Sequence, residues 1–239
     1  MSELPAPPAA GDELPEPTWR PLEAVPVLAI AFGAFIVLAS VAALFELGPN
    51  LTFVVGGLLL EGSFGLTSLL WIRLLHRPAF EAIGLPVRLA REVGQGVVGG
   101  IATYAVTFFV AAPIVFSLVQ AVTNREPTVP DQVPSDAQGL ALSLIGVVAI
   151  VLAPFGEELF FRAFLFRAFR RHGFWLAATV SSILFGFVHV VDGNFILVPV
   201  LSVVGLCLAW LYERTGRIAV PIAAHMTFNV IGFVFLSLA

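Results

Sequence analysis

The chain has 239 residues, 59% of them hydrophobic and 12% charged, with a formal net charge of −4 and a mean hydropathy of +0.98. Soluble domains are near half apolar and a quarter charged, so this composition excludes an ordinary water-soluble fold and calls for lipid as part of the solvent. The small negative charge gives no electrostatic case for nucleic acid, and the length suits one membrane domain with no room for a large soluble one.

Met1 to Thr18 are Pro-rich and acidic, with Glu3, Asp12, Glu13 and Glu16. They lack the basic start of a secretory signal and read as a disordered tail through residue 22. A helix needs about 20 apolar residues to cross the hydrocarbon core, and about seven such runs follow. The first covers Ala24–Leu47 and the second Leu51–Leu75. An amphipathic linker with Arg88 and Arg91 leads to the third, Val93–Ala121. The polar stretch Thr123–Gln138, with Pro127, Pro130 and Pro134, is the longest break. A fourth run starts near Gly139 and passes Pro154-Phe155-Gly156 to Phe169. The fifth is Phe174–Val191, the sixth Phe195–Tyr212 and the seventh Ile218–Leu238. Strand-length alternation is missing, which excludes a β-barrel. The expected fold is an all-α polytopic membrane bundle, divided into the tail (1–22), the first helices with their loop (23–138) and a functional region (139–239).

All 12 basic residues are Arg, a usage that points to a GC-rich, prokaryotic genome. Seven crossings put Arg20, Arg73, Arg77, Arg88, Arg91, Arg167, Arg170, Arg171, Arg214 and Arg217 on one side and leave Arg125 on the other. The positive-inside rule makes the first side cytoplasmic. The expectation is a multi-pass protein of the cell membrane with a cytoplasmic N-terminus. Cys207 has no partner for a disulfide. Gly96-x-x-x-Gly100 lets helices approach closely and reads as internal packing. Oligomeric state is not legible.

Four places in the second half break the apolar pattern: Glu157-Glu158 with Arg162, then His189, His225 and Asn229. A charge at the middle of a membrane helix costs roughly 2.5–3.5 kcal/mol on insertion scales, so these groups should face one another or a wet cavity. Glu158 and Arg162 are four apart and share a helix face; Glu157 is rotated by about 100° from Glu158 and points elsewhere. His225 and Asn229 are also four apart, and Phe185 lies one turn before His189. Counted at about 1.5 Å per residue from the helix ends, Glu157, His189 and Asn229 reach similar depths. A Glu–Arg pair, a lone His or a lone Asn in a bilayer is often only structural. Several on three of the last four helices are harder to explain that way. His76 and His172 read as interface residues. Glu61, inside the second run, is left without a role.

Glu157-Glu158-x-x-x-Arg162, Phe185-x-x-x-His189 and His225-x-x-x-Asn229, in that order, resemble the three motifs of the CPBP family, which comprises type II CAAX prenyl endopeptidases and related bacteriocin-processing and immunity proteins. Leu211-Tyr212-Glu213-Arg214-Thr215-Gly216 is similar to the turn before the family's last motif. The resemblance covers about Gly139 to Phe235. It implies an intramembrane endopeptidase acting, without a metal cofactor, on a membrane-associated or lipidated peptide or protein. Glu157 would activate water with the help of His189, His225 and Asn229 would stabilise the oxyanion, and Glu158 and Arg162 would hold the site. The chemistry is sound on its own terms: a glutamate shielded from bulk water is a better base near neutral pH, and imidazole and amide N–H groups suit a developing oxyanion. Pro154 and Gly156 are expected to break the helix and admit water.

Three readings compete. A zinc protease would use His189, His225 and Glu157 as ligands, although no His-Glu-x-x-His motif is present. A non-catalytic immunity or scaffold protein would retain the fold but not the reaction. A transporter would use the charged groups as a proton relay, but no inverted repeat relates the two halves.

Overall fold

The computed structural model describes residues 14–76, 80–85, 89–130, 133–134, 136–190 and 193–238, with side chains as far as residue 235. Arg77, Arg88 and Asp192 lie outside the described residues, as do residues 1–13. Seven apolar helices follow one another: α1 (Pro21–Ala43), α2 (Pro49–Leu75), α3 (Leu89–Thr123), α4 (Gly139–Arg170), α5 (Phe174–Phe187), α6 (Leu197–Thr215) and α7 (Ala219–Leu238). Five of them, α1 to α4 and α6, are long and apolar enough to cross a membrane. The protein is an all-α polytopic membrane bundle, with no strand among the described residues. Side chains such as Ile36, Val37, Phe109, Leu118 and Trp175 are exposed. An apolar exterior of this kind is untenable in water and is what lipid solvates.

The helices that looked uniform in the sequence are not. α3 widens into a π-helical stretch at Thr107–Ala111, just before Pro113, and α4 does the same at Val148–Leu152, just before Pro154. Proline lacks the N–H for the i−4 carbonyl and its ring crowds that carbonyl. A wider turn in front of it lets the helix continue. The break expected at Pro154-Phe155-Gly156 is therefore absent; α4 runs through, with a second π stretch at Leu159–Phe166. α5 is also shorter than expected. It stops at Phe187, after 14 residues, or about 21 Å, well short of the roughly 30 Å hydrocarbon thickness. His189 consequently lies in the turn beyond the helix end.

Small residues set the crossings. A Cβ on Gly65 of α2 would stand 2.8 Å from the Cα of Gly156 in α4, and one on Gly156 would stand 2.5 Å from the carbonyl oxygen of Glu61. Gly96 and Gly100 of α3 press on Ala223, Ala224 and Thr227 of α7 in the same manner. The Gly-x-x-x-Gly pair thus packs one helix of this chain on another, as expected from the sequence. Between these crossings runs a buried aromatic core in which Phe64, Phe160, Phe161 and Phe185 follow one another edge to face, with ring centroids 5.3, 4.9 and 5.4 Å apart.

Ion pairs collect at one end of the bundle. Glu23 at the start of α1 meets His76 after α2 at 2.7 Å, Glu92 near the start of α3 meets Arg217 before α7 at 3.6 Å, and Arg170 of α4 meets Glu213 of α6 at 2.6 Å. At the opposite end Asn194 donates to the carbonyl of Thr128 at 2.8 Å. This is the alternation on which the Arg count relied. The segment before α1 departs from the free tail expected through residue 22. Trp19 is fully buried, its Nε1 donates to the carbonyl of Phe164 at 2.9 Å, and Arg171 donates to its own carbonyl at 2.8 Å. An indole in a pocket with its N–H satisfied anchors the chain from this point on.

Candidate active site

The site is built on α4, the turn after α5, and α7. Glu157 and Glu158 lie between the two π stretches of α4 and are buried. Arg162 is four residues on, as the spacing requires, and its Nη1 donates to Glu158 Oε1 at 3.1 Å. Its Nη2 donates to the carbonyl of Gly205 in α6 at 3.1 Å, and the guanidinium carbon lies 4.7 Å from the ring centre of Phe185. Arg162 and Glu158 have no solvent exposure at all. A buried pair of this kind survives only with several well-formed partners, which Gly205, Phe185 and His225 supply.

His225 Nδ1 lies 3.0 Å from the same Glu158 oxygen. A carboxylate only accepts, so this nitrogen carries a proton and donates it. The other nitrogen, Nε2, is then 3.8 Å from Glu157 Oε2, an oxygen with no hydrogen-bond partner. His189 is fixed in a similar way. Its Nδ1 donates to the carbonyl of Phe185 at 2.9 Å, satisfying one of the carbonyls left open where α5 ends. Its Nε2 faces Glu157 Oε1 at 3.9 Å. Both gaps exceed a direct hydrogen bond and fit a bridging water or substrate atom. Phe185 walls the cluster, its ring centre 5.0 Å from that of His189 and 5.5 Å from that of His225.

Six of the seven residues singled out from the sequence thus come together: Glu157, Glu158, Arg162, Phe185, His189 and His225. Asn229 sits one turn beyond His225, but its amide donates to the carbonyl of Ala149 at 2.7 Å. That carbonyl lies in the first π stretch of α4, so Asn229 ties α7 to α4 and keeps one amide hydrogen for other use. Glu61 is the residue that sequence reasoning left aside. Its carboxylate lies over Gly156, within 3.1 Å of where a Cβ there would be, next to Glu157 in the chain. The signal was present, since any intramembrane carboxylate is a candidate by default, but nothing linear connects residue 61 to residue 157. No group of three or more His, Cys, Asp or Glu side chains among the described residues is arranged to hold a metal ion.

This region is also where the chain resembles other proteins. Residues 139–231 match the family model described as type II CAAX prenyl endopeptidase Rce1-like. The match covers the last part of the chain, which is similar to that family from α4 into α7. The chain is 37% identical over 90 residues to the Bacillus subtilis protein "Putative membrane peptidase YdiL", a match covering 37% of this chain and 36% of that one. The chain thus spans little more than a third of that relative. It is also 26% identical over 213 residues to an Escherichia coli protein described only as an uncharacterized 24.3 kDa protein, covering 86% of this chain and 90% of the other. No solved structure matches. The family-model match begins with α4 and ends within α7, so it contains every residue of the cluster except Glu61.

Proposed function

We propose that the protein is an intramembrane endopeptidase that hydrolyses a peptide bond of a membrane-associated or lipidated protein or peptide, with Glu157 as the base that activates water. The observation that carries this reading is the setting of Glu157: a buried carboxylate whose two oxygens face His189 Nε2 at 3.9 Å and His225 Nε2 at 3.8 Å. A water in the first gap donates one hydrogen to Glu157 and the other to His189, whose lone pair is turned that way by the Phe185 carbonyl. Its own lone pair is then free to attack. As the C–O bond forms, the proton passes to Glu157 and the carbonyl electrons move to oxygen.

The developing oxyanion is met by N–H groups, as such charge requires. His225 supplies one from Nε2 in its imidazolium form, which Glu158 stabilises through Nδ1, and Asn229 supplies its remaining amide hydrogen. When the C–N bond breaks, the leaving nitrogen takes the proton held by Glu157, and acid and amine depart. Glu158 and Arg162 touch no reacting atom; they orient His225. Every step closes without a metal. The competing zinc reading needs Glu157, His189 and His225 as three ligands of one ion. The test is hydrolysis of quenched fluorogenic peptides by purified protein in lipid nanodiscs, wild type against Glu157→Gln. Cleavage by wild type and none by the variant is the expected result. Cleavage by neither would favour the non-catalytic immunity or scaffold reading.

A further inference from the structure

A second cavity lies away from the glutamate cluster, at the end of the bundle where the ion pairs collect. It has a volume of about 430 Å³ and is walled by Arg167, Arg170 and Arg171, by Tyr212 to Gly216, and by Glu16 and Pro17 from the segment before α1. Four guanidinium groups, counting Arg214, surround it against two carboxylates, Glu16 and Glu213.

The partners of these groups are unequal. Arg170 is matched by Glu213, which accepts from both its Nε and its Nη2. Arg171 gives its Nη2 to the neutral carbonyls of Pro17 and Trp19, and Arg214 lies over the ring of Trp210 at 5.4 Å. Arg167 donates from Nη2 to the carbonyl of Pro15. Backbone carbonyls and an indole face leave a positive charge uncancelled. More telling are two buried polar atoms without any hydrogen-bond partner, Arg167 Nε and Tyr212 Oη. Their side chains are 6% and 1% exposed, and both line this one cavity. Native structures rarely leave buried donors unpaired, and two on the wall of one positively charged space point to a missing acceptor.

We propose that this cavity binds a phosphate group, which accepts from Arg167 Nε and Tyr212 Oη, with Arg171 and Arg214 supplying balancing charge. Phosphate offers several acceptor oxygens and full negative charge, and guanidinium matches it better than any other side chain. The phosphate belongs either to a lipid headgroup or to a soluble ion, and both satisfy the same donors. The site does not depend on the peptidase reading, because none of its residues belongs to the Glu157 cluster.

The test is titration of the purified full chain in detergent with three probes: dihexanoylphosphatidylglycerol, dihexanoylglycerol and inorganic phosphate. Saturable binding of the phosphatidylglycerol, with much weaker binding of the phosphate-free glycerolipid, is expected. Binding of inorganic phosphate as well would identify the free ion as sufficient, and its failure to bind would identify the lipid headgroup. Tyr212→Phe, which removes only the hydroxyl, should weaken binding about tenfold, and Arg167→Gln by at least as much, whereas Arg125→Gln at the opposite end should not. Because Arg167 also holds Pro15, the tyrosine variant decides. The proposal is overturned if Tyr212→Phe melts like wild type and binds with undiminished affinity, if dihexanoylglycerol binds as tightly as its phosphatidyl counterpart, or if neither phosphate probe binds.

Discussion

His225 joins the two neighbouring glutamates of α4: one ring nitrogen donates to Glu158 Oε1 at 3.0 Å and the other stands 3.8 Å from Glu157 Oε2. The adjacent carboxylates therefore have different work. Glu158 accepts from both Arg162 and His225 through one oxygen, whereas Glu157 faces His189 and His225 only across gaps of 3.9 and 3.8 Å. Replacing Glu157 by Gln keeps the shape and removes the proposed base. Peptidase activity should fall by about a thousandfold, within the usual range for loss of a general base, while the thermal midpoint in detergent stays close to that of wild type. An active Glu157→Gln protein would end the assignment of Glu157 as base.

Glu158→Gln and Arg162→Leu should act on the fold instead. Each leaves its partner as a buried charge without its counter-ion, which costs about 3–5 kcal/mol. Both variants are expected to show a lowered thermal midpoint and poor yield, and the double variant should be less unstable than the two single losses added together. A midpoint unchanged in both single variants would show that the pair contributes nothing to stability.

Gly156→Ala tests the crossing that seats Glu157. The new methyl would stand 2.5 Å from the Glu61 carbonyl, so α2 and α4 must move apart. Overpacking of this kind costs about 1–3 kcal/mol, and the shift displaces the neighbouring Glu157. Activity should drop more steeply than stability, as judged by the same melting and cleavage assays. Gly33, where an added Cβ meets nothing within 4 Å, is the matched control, and Gly33→Ala should behave as wild type.

How much of this was legible in the sequence depended on whether a feature is periodic or three-dimensional. The seven helices were, because a membrane span is a matter of length and apolar content and lipid allows few alternatives. The Glu158–Arg162 pair was, because four residues along a helix bring side chains together whatever surrounds them. The end of α5 at Phe187 was not, since Val188, Val190 and Val191 continue the apolar run and only the ring of His189, turned back on the Phe185 carbonyl, marks the stop. Nor was the place of Glu61, which depends on the Gly65–Gly156 crossing. Pro154 suggested a break, but a π turn absorbs it. Trp19 looked like part of a polar tail because its neighbours are prolines and acids, yet its indole fills a pocket on α4.

Metal content separates the two hydrolytic readings. Protein purified without added zinc should carry well under one equivalent by elemental analysis, and chelators should leave cleavage nearly intact. Near-stoichiometric zinc, lost together with activity in His189→Ala, would replace the glutamate mechanism by one in which Glu157, His189 and His225 are ligands.

Orientation follows from charge, and two exposed positions test it. His172 lies in the turn between α4 and α5, beside Arg170 and Arg171, and Arg125 lies in the loop after α3, at the opposite end; both are exposed. Arg and Lys are retained on the cytoplasmic face, and Arg20, Arg73, Arg91, Arg170, Arg171, Arg214 and Arg217 all belong to the end that holds His172. In a Cys207→Ala background, His172→Cys should therefore react with a membrane-impermeant maleimide only in inverted vesicles, and Arg125→Cys in intact cells. The same assignment fixes the route to the site. Along α4 (Gly139–Arg170), Glu157 is nearer the Arg170 end than the Gly139 end, about 20 Å against about 27 Å at 1.5 Å per residue, so a substrate reaching Glu157 from the cytoplasm or the inner leaflet has the shorter path. Labelling of His172→Cys in intact cells would invert the bundle and move that entry to the outer face, even with the chemistry of Glu157 unchanged.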